Sequence, residues 1–499
     1  MNLLEAPWIP IRTDDGRGPF SLITYRELLC EPGTWRVSLP RDDLELACIQ
    51  LLVCMTQVLF QPADDDVLDE RLDEPLSEAT FAAGIARYQD WFDLDHPTQP
   101  FMQTRGVASK EATPIQKLLI GLPAGNNHCF FNETGEVAAL SAPIAAIALF
   151  HQASNCPSFG GGFKGSLRGE APITTLVDGP SLREQVWRNV LTLERTRAEL
   201  FWTRDLTDER PTWIDPIKAG QTIYPHQIGL IRGLFWQPAH VELIPAAESG
   251  PCDLLGIEAG PRYTGFRKEK FNFTLDGNWP HPHGALNIRV KKGERETKFA
   301  SFTTDAPAWT RLTELVVSKK ADDSGGNRPA LAIGQAKALD IHPLHLLVGG
   351  YHNKKASVLE RRHELIELGE GWDDESGRLE DLVNIGLAAK KALRGKLYFA
   401  VQGHKDKGLP GIGAAIHETG ERLFYARTEA RILATFSNSA TFSEWQQHLD
   451  AYAAALSTEC ESIFNDLTDP YAMKPELIPI IAWARRSLTA DLRKLTEGK

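Results

Sequence analysis

Two differently patterned parts of the chain meet at the polar stretch Glu370-Gly371-Trp372-Asp373-Asp374-Glu375-Ser376-Gly377. After this stretch, apolar residues recur at helical spacing in four long segments, near 379–402, 411–436, 443–468 and 475–496. Each segment carries a single apolar face and the connections between them are short. The pattern therefore predicts a C-terminal four-helix bundle.

The part before this stretch mixes strand-like and helix-like patterns. Runs rich in β-branched and apolar residues, at 173–177 and 285–290, are typical of strands. Apolar residues at spacings of three and four predict helices at 43–60 and 141–153. We therefore predict an α+β protein, with a large mixed α/β domain at 1–372 and the bundle at 373–499.

Composition limits the class of protein. The chain has 499 residues, of which 42% are hydrophobic and 24% charged, as in soluble globular proteins of several domains. No apolar run approaches the roughly 20 residues of a membrane span, and the first residues do not resemble a signal peptide. We therefore expect a cytoplasmic protein with no membrane partner. Seven scattered cysteines without a CxxC spacing fit a reducing compartment: Cys30, Cys48, Cys54, Cys129, Cys156, Cys252 and Cys460.

The charge is unevenly distributed. The whole chain has a net charge of −12, which argues against a free-standing nucleic-acid binder. Residues 262–298, however, contain nine basic and four acidic residues, a net charge of +5. An acidic body with one basic segment suits a subunit that meets nucleic acid on one face only.

Motifs that would indicate catalysis are missing from the sequence. The glycine-rich run at 159–169 lacks the Gly-Lys-Ser/Thr step of a phosphate-binding loop, and neither G-x-S-x-G nor H-E-x-x-H occurs. Two close histidine pairs, His281 with His283 and His342 with His345, are interrupted by proline, which disfavours a helical arrangement of metal ligands. We predict that the protein is not an enzyme and has no cofactor. A metal-dependent nuclease or other hydrolase is the least favoured alternative.

Two other segments leave alternatives open. The run Gly160-Gly161-Gly162 removes every side chain over a short span, which allows either tight internal packing or close approach to a nucleic-acid groove. Phe130 and Phe131, followed by Asn132, are either core residues or an exposed stacking or wedge element.

The segment Gly349-Gly350-Tyr351-His352-Asn353-Lys354-Lys355-Ala356-Ser357 is a basic turn. We expect its two glycines to allow a sharp reversal, and Ser357 with Glu360 to open a helix through a capping box. Such a turn has a suitable shape for entering a duplex groove, although the same pattern also describes an ordinary solvated turn.

Seven segments of the chain form a distinctive ordered set: Ser38–Asp43, Pro100–Thr104, Phe159–Arg168, Arg232–His240, Arg262–Phe266, Trp279–His283 and Gly349–His363. Together, in this order and with near-constant spacing, they resemble the CasA family, the large subunit of the type I-E CRISPR Cascade complex. The resemblance implies a non-catalytic subunit of an RNA-guided surveillance complex. It also implies a mixed α/β domain followed by a four-helix bundle that docks partners and the displaced strand.

The implied partners are double-stranded target DNA, the guide-RNA-containing Cascade subunits and a recruited CRISPR helicase–nuclease. The family reads a short protospacer-adjacent motif in the minor groove and then opens the duplex to start an R-loop. A mainly scaffolding role in a ribonucleoprotein complex, with little direct DNA reading, is the alternative. A further alternative is that an inhibitor or a transposition partner binds and captures this subunit.

The resemblance assigns roles to residues of this chain. The glycine loop that lies against the motif falls on Gly160, Gly161 and Gly162, and the minor-groove lysine finger falls on Lys270. Lysines near the displaced strand fall on Lys291 and Lys292. The loop near the guide handle and the neighbouring subunit falls on Phe130, Phe131 and Asn132. The wedge, the element that splits the first base pair, falls on Lys354, Lys355 and Ala356.

The chain departs from the family at two places. The best-known wedge has asparagine and glutamine where this chain has Lys354 and Lys355, so motif preference or wedge mechanics are expected to differ. Some relatives carry a four-cysteine zinc site, whose positions here are Ser141, Ile144, Cys252 and Leu255. Because one sulfur does not make a zinc site, we predict no metal.

Overall fold

The computed structural model describes residues 1–122, 135–199, 209–291, 294–304, 306–322, 325–354, 357–372, 377–438 and 444–496. The chain separates into two compact units. Unit 1 comprises Met1–Asp305, Glu314–Ile341 and His345–Leu365. Unit 2 comprises Ala306–Thr313, His342–Leu344 and Ile366–Lys499.

The α-helices of the described residues include ten short or medium helices before the bundle. They are α1 (Tyr25–Cys30), α2 (Asp42–Leu59), α3 (Asp65–Asp73), α4 (Glu78–Ile85), α5 (Ala142–Ser154), α6 (Leu182–Arg188), α7 (Leu193–Glu199), α8 (Leu230–Leu234), α9 (Leu312–Val316) and α10 (Leu331–Ala338). Four long helices follow: α11 (Arg378–Gln402), α12 (Ile416–Phe436), α13 (Trp445–Ala472) and α14 (Ile478–Thr496).

The β-strands of the described residues are short, apart from two near 350. They are β1 (Ile9–Arg12), β2 (Phe20–Ile23), β3 (Arg36–Val37), β4 (Thr113–Pro114), β5 (Leu140–Ser141), β6 (Thr174–Val177), β7 (Thr222–Ile223), β8 (His240–Pro245), β9 (Arg262–Glu269), β10 (Thr274–Leu275), β11 (Leu286–Lys291), β12 (Glu294–Phe299), β13 (Lys319–Asp322), β14 (Gly325–Arg328), β15 (Leu344–Lys354) and β16 (Ser357–Leu368).

Two sheets and two helices determine where the candidate site lies. Strand β9 pairs antiparallel with β8, β4 and β5, and β15 lies between β6 and β16. Helix α2 and all of α5 are buried almost throughout, because their sequences are apolar on nearly every side. The strands and helices predicted at 173–177, 285–290, 43–60 and 141–153 are confirmed as β6, β11, α2 and α5.

The predicted C-terminal bundle is confirmed. Helix α11 packs against α12, α13 and α14, and α13 also packs against α12 and α14. The buried side chains follow one face of each helix, for example Leu393 and Leu397 in α11. Helix α12 begins at Ile416, later than the predicted 411, because Pro410 and the left-handed Gly413 (φ +77°) precede it.

The prediction that a helix begins at Ser357 is wrong. Ser357 begins β16, a twelve-residue strand hydrogen-bonded beside β15. The other edge of β15 is occupied by β6, so β16 satisfies backbone groups that a helix would leave unpaired.

The expectation that Gly349 and Gly350 form a sharp reversal is also wrong, because both lie within β15. A Cβ on Gly349 would collide with Leu46 of α2, and a Cβ on Gly350 would lie 3.0 Å from the Pro172 carbonyl oxygen. The two glycines therefore allow close packing rather than a turn.

Candidate nucleic-acid interface

The glycine loop and the predicted lysine finger meet in unit 1. Gly160, Gly161 and Gly162 all have left-handed backbone angles, with φ of +77°, +58° and +88°. Glycine adopts such angles without the steric cost that other residues incur. The Lys270 ammonium donates a hydrogen bond of 2.9 Å to the Gly161 carbonyl oxygen. Two elements that are 109 residues apart in the chain therefore form one exposed surface.

The loop is not a tight internal packing site at its centre. Apart from its two chain neighbours, a Cβ placed on Gly161 would have no heavy atom within 4 Å, and a Cβ on Gly162 would lie 3.4 Å from Lys270 Nζ. Gly161, Gly162 and Lys270 are all exposed. Of the two interpretations of the glycine run, the structure favours a free backbone surface.

Aromatic side chains pack the glycine loop against strand β9. The Phe159 ring lies 5.5 Å from Phe163 and 5.7 Å from Phe266 of β9, measured between centroids. The loop closes on itself through a hydrogen bond of 3.1 Å from Phe163 N to the Gly160 carbonyl. Because Lys270 follows β9 directly, the same strand positions both the aromatic support and the lysine.

Two further lysines add positive charge here. Lys268 was counted in the sequence only as part of the basic segment 262–298, and no sequence pattern singled out Lys117. The Lys268 ammonium lies 5.4 Å from the centroid of Phe159 and 5.5 Å from that of Phe266, and it donates a hydrogen bond of 2.6 Å to Thr113 Oγ1. Burial and the charge of Lys117 lower the pKa of Lys268, and burial lowers the pKa of Lys117. A phosphate group nearby would stabilise both charged forms.

A signal for Lys268 was present in the sequence. In a strand, residues two apart point to the same face, so Phe266 and Lys268 share a face of β9. Continuing that spacing by one step leads to Lys270. The strand itself, however, was not predicted at these residues, and without the strand the alternation does not place the three side chains on one face.

The other predicted site residues are only partly described. Lys354 ends β15 and is exposed. Lys291 ends β11, and nothing is described of its side chain. Lys292, Lys355 and Ala356 lie outside the described residues, as do Phe130, Phe131 and Asn132. Their predicted roles stay predictions.

Cysteine and histidine side chains do not converge on a metal site in the described part of the chain, where no group of three or more potential ligands occurs. Cys252 is buried and accepts a hydrogen bond of 3.3 Å from Ser141 N. His281 and His283 lie side by side, with ring centroids 5.3 Å apart, and burial lowers the pKa of both. Their burial explains this histidine pair without a ligand.

Within the described ranges, no helix is both long and apolar enough to cross a membrane.

Solved structures of CRISPR-associated proteins have the same architecture, a mixed α/β unit followed by a helical unit. Thermobifida fusca Cse1 superposes with a TM-score of 0.76 at 17% identity, covering all of this chain and 98% of that one. Thermus thermophilus CasA (Cse1) superposes with a TM-score of 0.73 at 18% identity, covering 99% of both chains. A chain of a solved CRISPR RNA-guided surveillance complex gives 0.65 at 15% identity, covering 98% of this chain and 99% of that one.

The sequence shows to which family of CRISPR-associated proteins the chain belongs. A family model described as CRISPR-associated protein Cse1 matches residues 2–462, so the chain belongs to the Cse1 family, also called CasA. The CasA/Cse1 protein of Thermus thermophilus is 31% identical over 159 residues. That match spans 30% of this chain and about a third (31%) of the length of the relative.

Proposed function

We propose that this protein is the non-catalytic large subunit of a type I-E CRISPR surveillance complex in the cytoplasm. In this role it reads a protospacer-adjacent motif in duplex DNA and opens the duplex to begin an R-loop. It then recruits the CRISPR helicase–nuclease. Membership of the Cse1 family supports the class, and a matching fold in a chain of a surveillance complex supports the assembly.

The contact between Lys270 and Gly161 is the observation that carries the DNA-reading part of the proposal. A lysine ammonium has three donors, and the bond to Gly161 uses one of them. The minor groove offers adenine N3 and thymine O2 as acceptors, and guanine adds an amino donor there. A narrow surface of glycine backbone and one ammonium can approach those edges closely, with few base-specific contacts. We therefore infer permissive reading, in which a protruding guanine amino group is rejected by steric exclusion.

The remaining steps follow a division of labour between protein and guide. The protein reads the short motif and guide pairing reads the rest of the target. Lys268, Lys117 and, in the proposed role, Lys291 and Lys292 supply salt-dependent attraction to phosphates. Lys354, Lys355 and Ala356 act as the wedge, which fills the gap left when the first base pair opens. The loop with Phe130, Phe131 and Asn132 faces the guide handle, and residues 373–499 dock partners and the displaced strand.

A motif-library binding screen tests the proposal. The reconstituted complex is incubated with duplexes that share one guide-matched target and differ only in the flanking motif. We expect enrichment of a small set of motifs, with discrimination mainly between A·T and G·C pairs. A flat profile from an intact complex would contradict motif reading and favour the scaffolding alternative.

A further inference from the structure

A buried chain of side-chain hydrogen bonds links the end of the glycine loop to the strand that leads to Lys354. Arg168 Nη2 donates to Asn155 Oδ1 at 2.6 Å, and Asn155 Nδ2 lies 3.2 Å from His151 Nδ1. His151 Nε2 lies 2.5 Å from the Tyr351 hydroxyl, which donates to Asp43 Oδ2 at 2.7 Å. All five side chains are buried, with at most 5% of any of them exposed.

Every hydrogen bond in this buried series is donated from the Arg168 side toward Asp43. Burial alone would raise the pKa of Asp43, but hydrogen bonds from Arg41 and nearby charges lower it to about 2, so its carboxylate only accepts. Tyr351 therefore donates to Asp43 and accepts from His151 Nε2–H. His151 Nδ1 then accepts from the Asn155 amide, whose oxygen accepts from Arg168. One tautomer of His151 and one orientation of Asn155 satisfy every link.

The Asp43 end of the chain is tied to both long strands. Arg41 binds Asp43 with two hydrogen bonds, of 3.0 Å and 2.6 Å. Arg361 of β16 lies 2.6 Å from Asp42 Oδ1 and 3.8 Å from Asp43 Oδ1. Since Tyr351 belongs to β15, the N-terminus of α2 holds β15 and β16 together.

The Arg168 end of the chain clamps the glycine loop. Arg168 follows the loop, whereas Ser154 and Asn155 precede it at the end of α5. Besides its bond to Asn155, Arg168 Nη2 donates to the Ser154 carbonyl at 3.0 Å, and Nη1 donates to Thr174 Oγ1 at 3.0 Å. The two ends of the loop are thereby fixed to each other inside the protein.

We propose that Tyr351 is a positioning residue for duplex opening. The hydrogen-bond chain holds the strand pair that carries the wedge at a fixed spacing from the glycine loop. A duplex bound by its motif at the loop is then presented to the wedge at its first base pair. This inference rests on the proposed function, since it concerns how motif reading and opening are kept in register. Loss of the hydroxyl removes the two links at the Asp43 end and leaves His151 Nε2–H and Asp43 Oδ2 each without one partner.

The test replaces Tyr351 by phenylalanine in the reconstituted complex. The control is Tyr25→Phe, which also removes a buried tyrosine hydroxyl, bonded to Thr56 Oγ1 at 2.8 Å, but lies outside the chain of hydrogen bonds. We expect both variants to bind a motif-bearing duplex that is cross-linked shut within about twofold of wild type. Only Tyr351→Phe is expected to open an ordinary motif-bearing duplex about tenfold more slowly. A small displacement of the wedge from the first base pair is expected to lower the rate of opening by about this much. On DNA that is already unpaired beside the motif, Tyr351→Phe should separate the remaining strands at the wild-type rate.

The outcomes separate this inference from the function on which it rests. Wild-type opening by a folded Tyr351→Phe variant, or equal slowing by Tyr25→Phe, would overturn the positioning role. If Tyr351→Phe does not fold, Asn155→Ser takes its place, with the same predicted defect and the same contradicting result. If the wild-type complex opens motif-bearing and motif-free duplexes at the same rate, the proposed function itself fails.

Discussion

The Lys270 ammonium and the Gly161 carbonyl bring a cation and a bare backbone to the same exposed point. Each of these residues alone has an ordinary explanation, since exposed lysines and turn glycines are common in proteins. Their contact is less ordinary, because it places the hydrogen-bond donors of a lysine ammonium beside a backbone surface that has no side chains. The candidate site is therefore defined by a pair of residues rather than by either one.

Gly161→Ala tests whether the bare backbone is needed. The backbone angle of +58° makes alanine cost about 1–2 kcal/mol of stability, while its methyl group meets nothing in the described chain within 4 Å except its two chain neighbours. We expect affinity for motif-bearing duplex to fall at least about tenfold, roughly 1.4 kcal/mol. The measurement is a binding titration with and without the motif.

Gly256→Ala is the matched control, because Gly256 is also left-handed (φ +71°) and its Cβ would also have no neighbour within 4 Å. It should lose similar stability and keep motif binding. Wild-type affinity and motif preference in Gly161→Ala would show that the loop does not touch DNA.

Stability should depend on pH through His151. Burial, reinforced by the nearby guanidinium groups, outweighs the opposing effect of Asp43 and lowers the pKa of His151 to about 4. Because the folded state disfavours the proton, the stabilisation is fully present above the unfolded pKa of about 6.5 and is lost as pH falls toward 4. One such histidine contributes at most about 1.4 kcal/mol per pH unit.

The check compares denaturant unfolding of wild type and His151→Gln between pH 7 and pH 4.5. The variant should show a shallower loss of stability, while His281 and His283 continue to contribute in both proteins. Identical slopes would mean that His151 titrates normally in the folded protein.

At the scale of elements, the strand pair β15–β16 is where the local sequence was most misleading. Ser357 and Glu360 match a capping box, yet they lie in a strand whose exposure alternates at its start. A local cap contributes about 1 kcal/mol, whereas an open sheet edge leaves several backbone groups unpaired. The sheet context therefore decides the structure, and no window of sequence around Ser357 contains that information.

The proposed wedge can be tested by combining Lys355→Ala with Ala356→Gly. Opening one base pair costs a few kcal/mol, part of which the wedge offsets by filling the gap. We expect strand separation to slow about tenfold or more while the initial encounter with duplex changes little. Stopped-flow fluorescence from a base analogue beside the motif measures opening, and Lys320→Ala, an exposed lysine of β13, is the control. An unchanged opening signal would rule out the wedge role.

At the scale of the whole molecule, the bundle was predictable because each helix carries its own apolar face and needs only its neighbours to bury it. The basic segment at 262–298 was likewise visible in the sequence, and it contains Lys268 and Lys270. The contact between Lys270 and Gly161 was not derivable from composition or periodicity, because it joins residues 109 positions apart through the packing of β9. The buried link from Tyr351 to Asp43 spans 308 positions and was not predictable for the same reason.

Lys270→Ala tests the central claim most directly. The reconstituted complex is titrated with a motif-bearing duplex and with the same DNA pre-opened as a bubble, and Lys110→Ala serves as an exposed-lysine control. We predict that Lys270→Ala loses about tenfold or more in affinity for the duplex, keeps its affinity for the bubble within about twofold, and that Lys110→Ala changes neither. Equal losses on duplex and bubble, or no loss on either, would contradict motif reading by Lys270 and the glycine loop.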